Sequence, residues 1–246
     1  MIEEKDDRQS GGMKAPIGRR GGKRNLALRL IEMFPDGYNT YVEPFVGGGQ
    51  VFYRTPKVPN EIINDLDKDM YIIHKGLRDK TDYIQKNINR NVTKADFDKL
   101  KTKTDPTSVI ARYRASFLAL GKDFNSLREG GNKADYTPYK ERLKGVKIFN
   151  KDYSGIIKKY DSSDTFFYLD PPYEPTGKLK DYKDYVEPMD LFKSLQRLKG
   201  KFMLSYNDSP NIRKIFSKYK QRTIKTKYWE QGGATKNKTE LLITNY

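Results

Sequence analysis

Phe166-Phe167-Tyr168-Leu169-Asp170-Pro171-Pro172-Tyr173 is the stretch of this 246-residue chain on which the fold turns. Its first four residues make an apolar run with the length and bulk of a buried strand. Two successive prolines lack backbone donors and fix φ, so the strand ends there in one rigid shape. A carboxylate, Asp170, stands at the strand's carboxyl end, and an aromatic ring, Tyr173, follows three residues on. In open α/β sheets that end of the strands is where ligands bind. A hydrogen-bond acceptor beside a flat ring suits a planar ligand carrying an exocyclic amino group. An Asp-Pro turn that only caps a strand exit uses the same residues, so the surroundings decide between the two readings.

Those surroundings alternate strands with helices. Lys23 to Phe34 spaces Leu26, Leu30 and Phe34 as one face of a helix, stopped by Pro35-Asp36-Gly37. Tyr41 to Val46 and Glu61 to Asp65 read as strands, with Gly47-Gly48-Gly49 and an expected helix between them. Further strands are expected at Val146 to Phe149 and Lys201 to Ser205, and a terminal hairpin of Tyr219 to Tyr228 with Thr239 to Tyr246. Helices are expected between them, at Ser154 to Lys159, Pro188 to Leu198 and Pro210 to Lys218. This alternation predicts an α/β fold, a mainly parallel, doubly wound Rossmann-like sheet. Residues 75–143 lack it and read as a helical insertion, with helices at Lys94 to Leu100 and Ser108 to Leu120. Residues 1–13, polar and of mixed charge, read as a disordered leader without a secretory signal.

Three acids fall at the carboxyl ends of three expected strands: Asp65, Asp152 and Asp170. An acid at the end of the second strand is suited to accept from ribose hydroxyls. Each could instead cap a helix, but together they outline one crevice. The glycine run lets a ligand approach the backbone closely at an expected helix N-terminus. It is neither Gly-x-Gly-x-x-Gly nor a P-loop, because no Gly-Lys-Ser/Thr follows.

Composition narrows the chemistry. There is no cysteine and one histidine, which excludes disulfides and thiolate zinc sites and disfavours Ser-His or Cys-His catalysis. No apolar run approaches the roughly 20 residues of a membrane helix. The net charge of +16, with 18 Tyr and 12 Phe, points to a polyanion, most simply nucleic acid. The excess clusters: Lys75 to Lys147 carries +9 and Arg213 to Lys238 carries +8. Within these segments Arg112, Arg114, Lys122, Arg128, Lys236 and Lys238 are candidate phosphate contacts.

In this context the motifs resemble, in family order, those of the Dam-type DNA adenine-N6 methyltransferases, the D12 class of bacteria and phages. Gly21-Gly22-Lys23 is similar to the N-terminal Gly-Gly-Lys motif, and Arg19 stands where the family often has an aromatic residue. Glu43-Pro44-Phe45-Val46-Gly47-Gly48-Gly49 is similar to the methionine-side loop, and Asn64-Asp65 falls where the ribose acid belongs. Lys151-Asp152-Tyr153 resembles the Gly-Asp-Phe adenine-contact motif, with Lys151 in place of the glycine. Phe124-Asn125-Ser126-Leu127 resembles an element of the DNA-recognition insertion, and Gly232-Gly233 through Glu240-Leu241-Leu242 the C-terminal block.

The resemblance implies a catalytic domain at residues 14–74 and 144–246 and a DNA target-recognition insertion at 75–143. It implies S-adenosylmethionine as cofactor, held by Arg19, Lys23, Glu43, Phe45, Gly47, Gly49, Asp65, Asp152, Tyr153 and Asp170, with no metal. It implies catalysis by Asp170, Pro171, Pro172 and Tyr173 on an adenine flipped out of duplex DNA. Asn125 joins the basic residues as an implied DNA contact. The expected setting is the cytoplasm of a bacterium or phage-infected cell, with no membrane partner and a monomer or weak dimer on DNA. GATC is the expected recognition site by family resemblance, although residues 128–139 depart from GATC readers. Cytosine-N4 methylation is the near alternative, and that class more often carries Ser at position 170. A catalytically silent DNA-binding protein of the same fold is the other.

Overall fold

The computed structural model describes residues 12–18, 22–125, 134–173, 185–229 and 235–246, with the backbone alone at 226–229 and 235–238. Among the described residues seven strands form one sheet: β1 (Thr40–Glu43), β2 (Asn60–Asn64), β3 (Lys147–Phe149), β4 (Thr165–Leu169), β5 (Lys201–Asn207), β6 (Lys220–Trp229) and β7 (Thr235–Thr244). Their order is β3-β2-β1-β4-β5-β7-β6. The first five run parallel, whereas β7 is antiparallel to both β5 and β6. The doubly wound sheet and the terminal hairpin are as the sequence predicts.

Alternation along each strand explains why both faces are covered. Phe166 and Tyr168 of β4 join Tyr41, Ile63 and Met203 in one apolar cluster, while Phe167 and Leu169 join Val42, Ile62 and Leu204 in the other. All five residues of β4 are buried, which makes it the central strand. The second face is closed by α7 (Tyr153–Tyr160), α8 (Pro188–Leu195) and α9 (Pro210–Ile215), which contribute Ile156, Leu191 and Ile212. The first face carries α1 (Ala27–Ile31), α2 (Lys68–Asp79), α3 (Thr81–Asn87), α4 (Lys94–Leu100), α5 (Pro106–Ala115) and α6 (Thr137–Leu143).

The helical stretch is continuous with the sheet. Helix α2 runs through residue 75, and Phe97, Ile110 and Leu143 share one cluster with Tyr41 and Phe166. Two ion pairs fasten it further. Arg142 grips Glu61 at the start of β2 through two bonds of 2.6 and 2.9 Å, and Arg112 holds Asp69 of α2 at 2.6 Å.

Local departures have local causes. After Gly47-Gly48-Gly49 there is only a 3-10 turn, Phe52–Arg54, because Pro56 and Pro59 leave no room for a helix before β2. The first helix contracts to Ala27–Ile31. The helix expected over Ser108 to Leu120 stops at Ala115, and Leu118 and Ala119 take φ of 50° and 52°. An antiparallel bridge between Ser116 and Phe124 closes that loop.

Candidate active site

Strands β1 and β4 lie side by side, but the chain leaves β1 toward β2 and leaves β4 toward β5 on the opposite side. That is the switch point of a doubly wound sheet, where the loops diverge and open a crevice. A cleft of about 490 Å³ occupies it, lined by Glu43 and Phe45 after β1, Asp65 after β2, Asp152 after β3, and Asp170 with Tyr173 after β4.

Asn64, the last residue of β2, is 1 % exposed and sets this rim. Its side-chain amide donates to Pro44 O and Lys151 O at 2.9 Å, and its Oδ1 accepts from Lys151 N at 2.9 Å. One buried amide thus fixes the exits of β1 and β3 on either side of β2. Asp65 follows it: its Oδ2 accepts from Gly47 N at 2.7 Å and its Oδ1 from Asp67 N at 2.9 Å. Asp65 itself lines the cleft, where a carboxylate can accept from a ligand hydroxyl. The helix cap that Asp65 could have made is made by Asp67, which accepts from Asp69 N at 2.9 Å.

The glycine loop is braced from behind. His74 Nε2 lies 2.8 Å from Gly47 O and His74 Nδ1 lies 2.8 Å from the Tyr53 hydroxyl. A carbonyl only accepts, so Nε2 carries the proton and Nδ1 accepts from Tyr53. Burial lowers the His74 pKa from 6.5 to about 4, which keeps the ring neutral. Gly49, expected to touch the cofactor, lies outside the cleft lining. Its φ is +78° and a Cβ there would stand 2.6 Å from the Tyr53 ring, so its glycine serves the turn. Gly47 does line the cleft, with φ of 50°.

Asp152 caps α7, accepting from Ser154 N at 2.9 Å, and is exposed at the cleft. Tyr153 and Phe45 pack ring to ring, 5.1 Å between centroids, on the same wall.

At the floor, Lys23 is 3 % exposed and its ammonium donates to Asp170 Oδ1 at 2.8 Å and to the Tyr173 hydroxyl at 2.7 Å. The Tyr173 hydroxyl in turn donates to Glu240 Oε2 at 2.6 Å, and Asp170 Oδ1 lies 3.2 Å from it. One face of the Tyr173 ring rests on Tyr206 of β5, 4.9 Å between centroids and 29° between planes. Burial pushes the Asp170 carboxyl above its ordinary pKa, opposed by the Lys23 charge. Glu43 is pushed well above its own, again by burial, although Tyr41 donates to it at 2.9 Å. Among the described residues the cleft lining contains seven acids (Glu43, Asp65, Asp67, Asp152, Asp170, Glu187 and Asp190) and two lysines, Lys23 and Lys151.

The candidate DNA contacts separate. Arg112 does not belong among them: it is 7 % exposed, paired with Asp69, and donates to Leu100 O and Lys101 O at 3.1 and 3.0 Å. A guanidinium held this way is a helix-to-helix tie. Arg114 is half-buried and donates to Pro16 O at 3.1 Å. Lys122 is exposed, and Asn125 is half-buried with its backbone N–H donating to Ala115 O at 2.9 Å. Arg19 and Arg128, with most of the expected leader, fall outside the described residues, as do the side chains of Lys236 and Lys238 on β7. His74 and Tyr206 brace the site without belonging to any motif, and Asn64 and Glu240 lie within motifs that give them no role of their own.

The profile of the D12 class N6 adenine-specific DNA methyltransferases matches residues 20–135 and 123–229. A type II methyltransferase of Lactococcus lactis subsp. cremoris is 27 % identical over 267 residues, covering 92 % of this chain and 93 % of its own. A type II methyltransferase of Methanocaldococcus jannaschii is 26 % identical, covering 92 % of this chain and 96 % of its own. A DNA adenine methylase of Haemophilus influenzae is 27 % identical, covering 83 % of each. With a family profile spanning most of its length and a cleft at the switch point of its sheet, the chain belongs to the D12 class N6 adenine-specific DNA methyltransferases.

Proposed function

We propose that the cleft holds S-adenosylmethionine and that Asp170-Pro171-Pro172-Tyr173 receives an adenine flipped out of duplex DNA, where its N6 amine is methylated. The observation that carries this reading is electrostatic. In a chain of net charge +16, the described lining of the cleft has seven acids against two lysines. Acids gathered in this way in a cleft favour a cationic ligand, while the basic exterior favours a polyanion. S-Adenosylmethionine fits the donor set: an acid at the end of β2 for ribose hydroxyls, a cradle at Gly47 and an aromatic wall at Phe45 and Tyr153. When bound, it supplies a methyl group on a cationic sulfur.

The residues of the chain do the rest. The lone pair of an adenine amine is delocalised into its ring, so the amine is a poor nucleophile. Hydrogen bonds from it to the Asp170 carboxylate and the Pro171 carbonyl favour a tetrahedral nitrogen with a localised lone pair. Asp170 also stabilises the positive charge that develops on that nitrogen, which requires no strong base. The paired prolines hold both acceptors in one shape, and positioning supplies much of the remaining rate. Tyr173 provides the stacking surface for the base. Unstacking costs a few kcal/mol, which phosphate contacts from the basic segments offset.

Calorimetric titration with S-adenosylmethionine tests the cofactor site. Saturable binding is expected for the wild type, weakened about tenfold or more in Asp65→Ala through loss of the hydroxyl acceptor and of the Gly47 brace. A wild-type protein that binds no S-adenosylmethionine would refute the reading.

A further inference from the structure

Glu240 of β7 is 3 % exposed and does not line the cleft, yet it contacts two groups that do. Its Oε2 accepts from the Tyr173 hydroxyl at 2.6 Å and lies 3.7 Å from the Lys23 ammonium. The same ammonium donates to Asp170 at 2.8 Å. One oxygen of the carboxylate on which a substrate amine would dock, Oδ1, is therefore already engaged by a buried cation. An amine docking on either oxygen meets a carboxylate whose charge that ammonium offsets. The Lys23 side chain is 2 % exposed, so displacement into water would uncover the floor of the site. A buried ammonium must also keep a counter-charge. Glu240 offers one about an ångström beyond contact, and the Tyr173 hydroxyl, bonded to both groups, spans the gap.

The charge balance has the same sense. Asp170 and Glu240 face one ammonium, which leaves one negative charge over for the positive charge developing on the amine. Were Glu240 neutral, Lys23 and Asp170 would neutralise each other.

We propose that Glu240 is a positioning residue that takes up Lys23 as the substrate amine engages Asp170, so that the Asp170 carboxylate is released to the target base. The inference rests on Asp170 being the acceptor for that amine.

The test compares Glu240→Gln with Glu240→Asp in steady-state transfer of labelled methyl from S-adenosylmethionine to DNA from a methylation-free host. Glu240→Gln is expected to lower kcat about tenfold or more, with KM for S-adenosylmethionine within about twofold of wild type. Glu240→Asp, shorter but charged, is expected to stay within about tenfold of wild type and above Glu240→Gln. A packing role alone would reverse that order, because Gln matches Glu in size and its amide oxygen still accepts from Tyr173. Wild-type kcat in Glu240→Gln, or Glu240→Asp no more active than Glu240→Gln, overturns the proposal. If Glu240→Gln does not fold, Glu240→Asp decides alone: folded and active supports the proposal, folded and inactive overturns it. Asp170→Asn run alongside separates the failures. An active Asp170→Asn removes the underlying reading, whereas an inactive one beside a wild-type Glu240→Gln removes only the role of Glu240.

Discussion

His74 is the single histidine of the chain, and its environment makes a quantitative prediction. It is buried, donates to Gly47 O and accepts from Tyr53, and its pKa falls from 6.5 to about 4. Protonation would put a donor at Nδ1, opposite the Tyr53 hydroxyl, and would charge a ring that water does not reach. A histidine whose folded pKa lies below its unfolded one contributes fully above pH 6.5. That contribution is lost progressively as pH falls toward 4. The whole displacement corresponds to roughly 3 kcal/mol, of which about 2 kcal/mol is lost between pH 8 and pH 5. Glu43 and Asp170, whose pKa values are raised, act in the opposite sense, so the comparison needs a variant. His74→Gln can accept from Tyr53 and donate to Gly47 without titrating. Urea unfolding at pH 8 and pH 5 is expected to show the wild type losing about 2 kcal/mol more than His74→Gln. The single imidazole resonance in a proton NMR titration is expected to move with a midpoint near 4. A midpoint near 6.5, or equal pH slopes in both proteins, would refute the buried, neutral brace.

Three further outcomes are expected, two of them from the geometry and the last from the basic character of the C-terminal segment. Asn64→Ala strips the amide that ties Pro44 to Lys151; it is expected to cost about 2–4 kcal/mol in urea unfolding and to weaken S-adenosylmethionine binding in calorimetry. Arg112→Ala is expected to cost about 2 kcal/mol of stability by leaving Asp69 with the Tyr113 hydroxyl but no cation, with no change in the salt dependence of DNA binding. Lys236→Gln and Lys238→Gln are expected to do the reverse, each lowering the slope of log K against log salt by about 0.9 with little effect on stability.

The sheet was legible because its strands carry their own punctuation. The run ending in Asp170-Pro171-Pro172 and the apolar segments before Gly47 and Asp65 each stop at residues that end strands for steric reasons. Long-range geometry was not legible. Nothing local marks Arg112 as inward-facing, since a basic residue on a helix looks alike whether it meets a phosphate or an aspartate from another helix. Glu240 lies 67 positions from Tyr173 and comes into contact with it only because β7 inserts antiparallel beside β5. Gly49 was assigned to the ligand for its type, whereas the Tyr53 ring is what excludes a side chain there. The competing reading of Asp65 as a helix cap falls away for a reason outside its own segment: Gly47 N–H donates to Asp65, and Asp67 makes the cap.

The central claim is that Asp170 accepts the target amine of adenine. Its most direct test is nucleoside analysis of DNA from a methylation-free host, incubated with S-adenosylmethionine and purified protein, for the wild type and for Asp170→Asn. The account expects N6-methyldeoxyadenosine from the wild type and, at matched DNA binding, at least about a hundredfold less from Asp170→Asn. N4-methyldeoxycytidine as the product, or undiminished N6-methyldeoxyadenosine from Asp170→Asn, would contradict it.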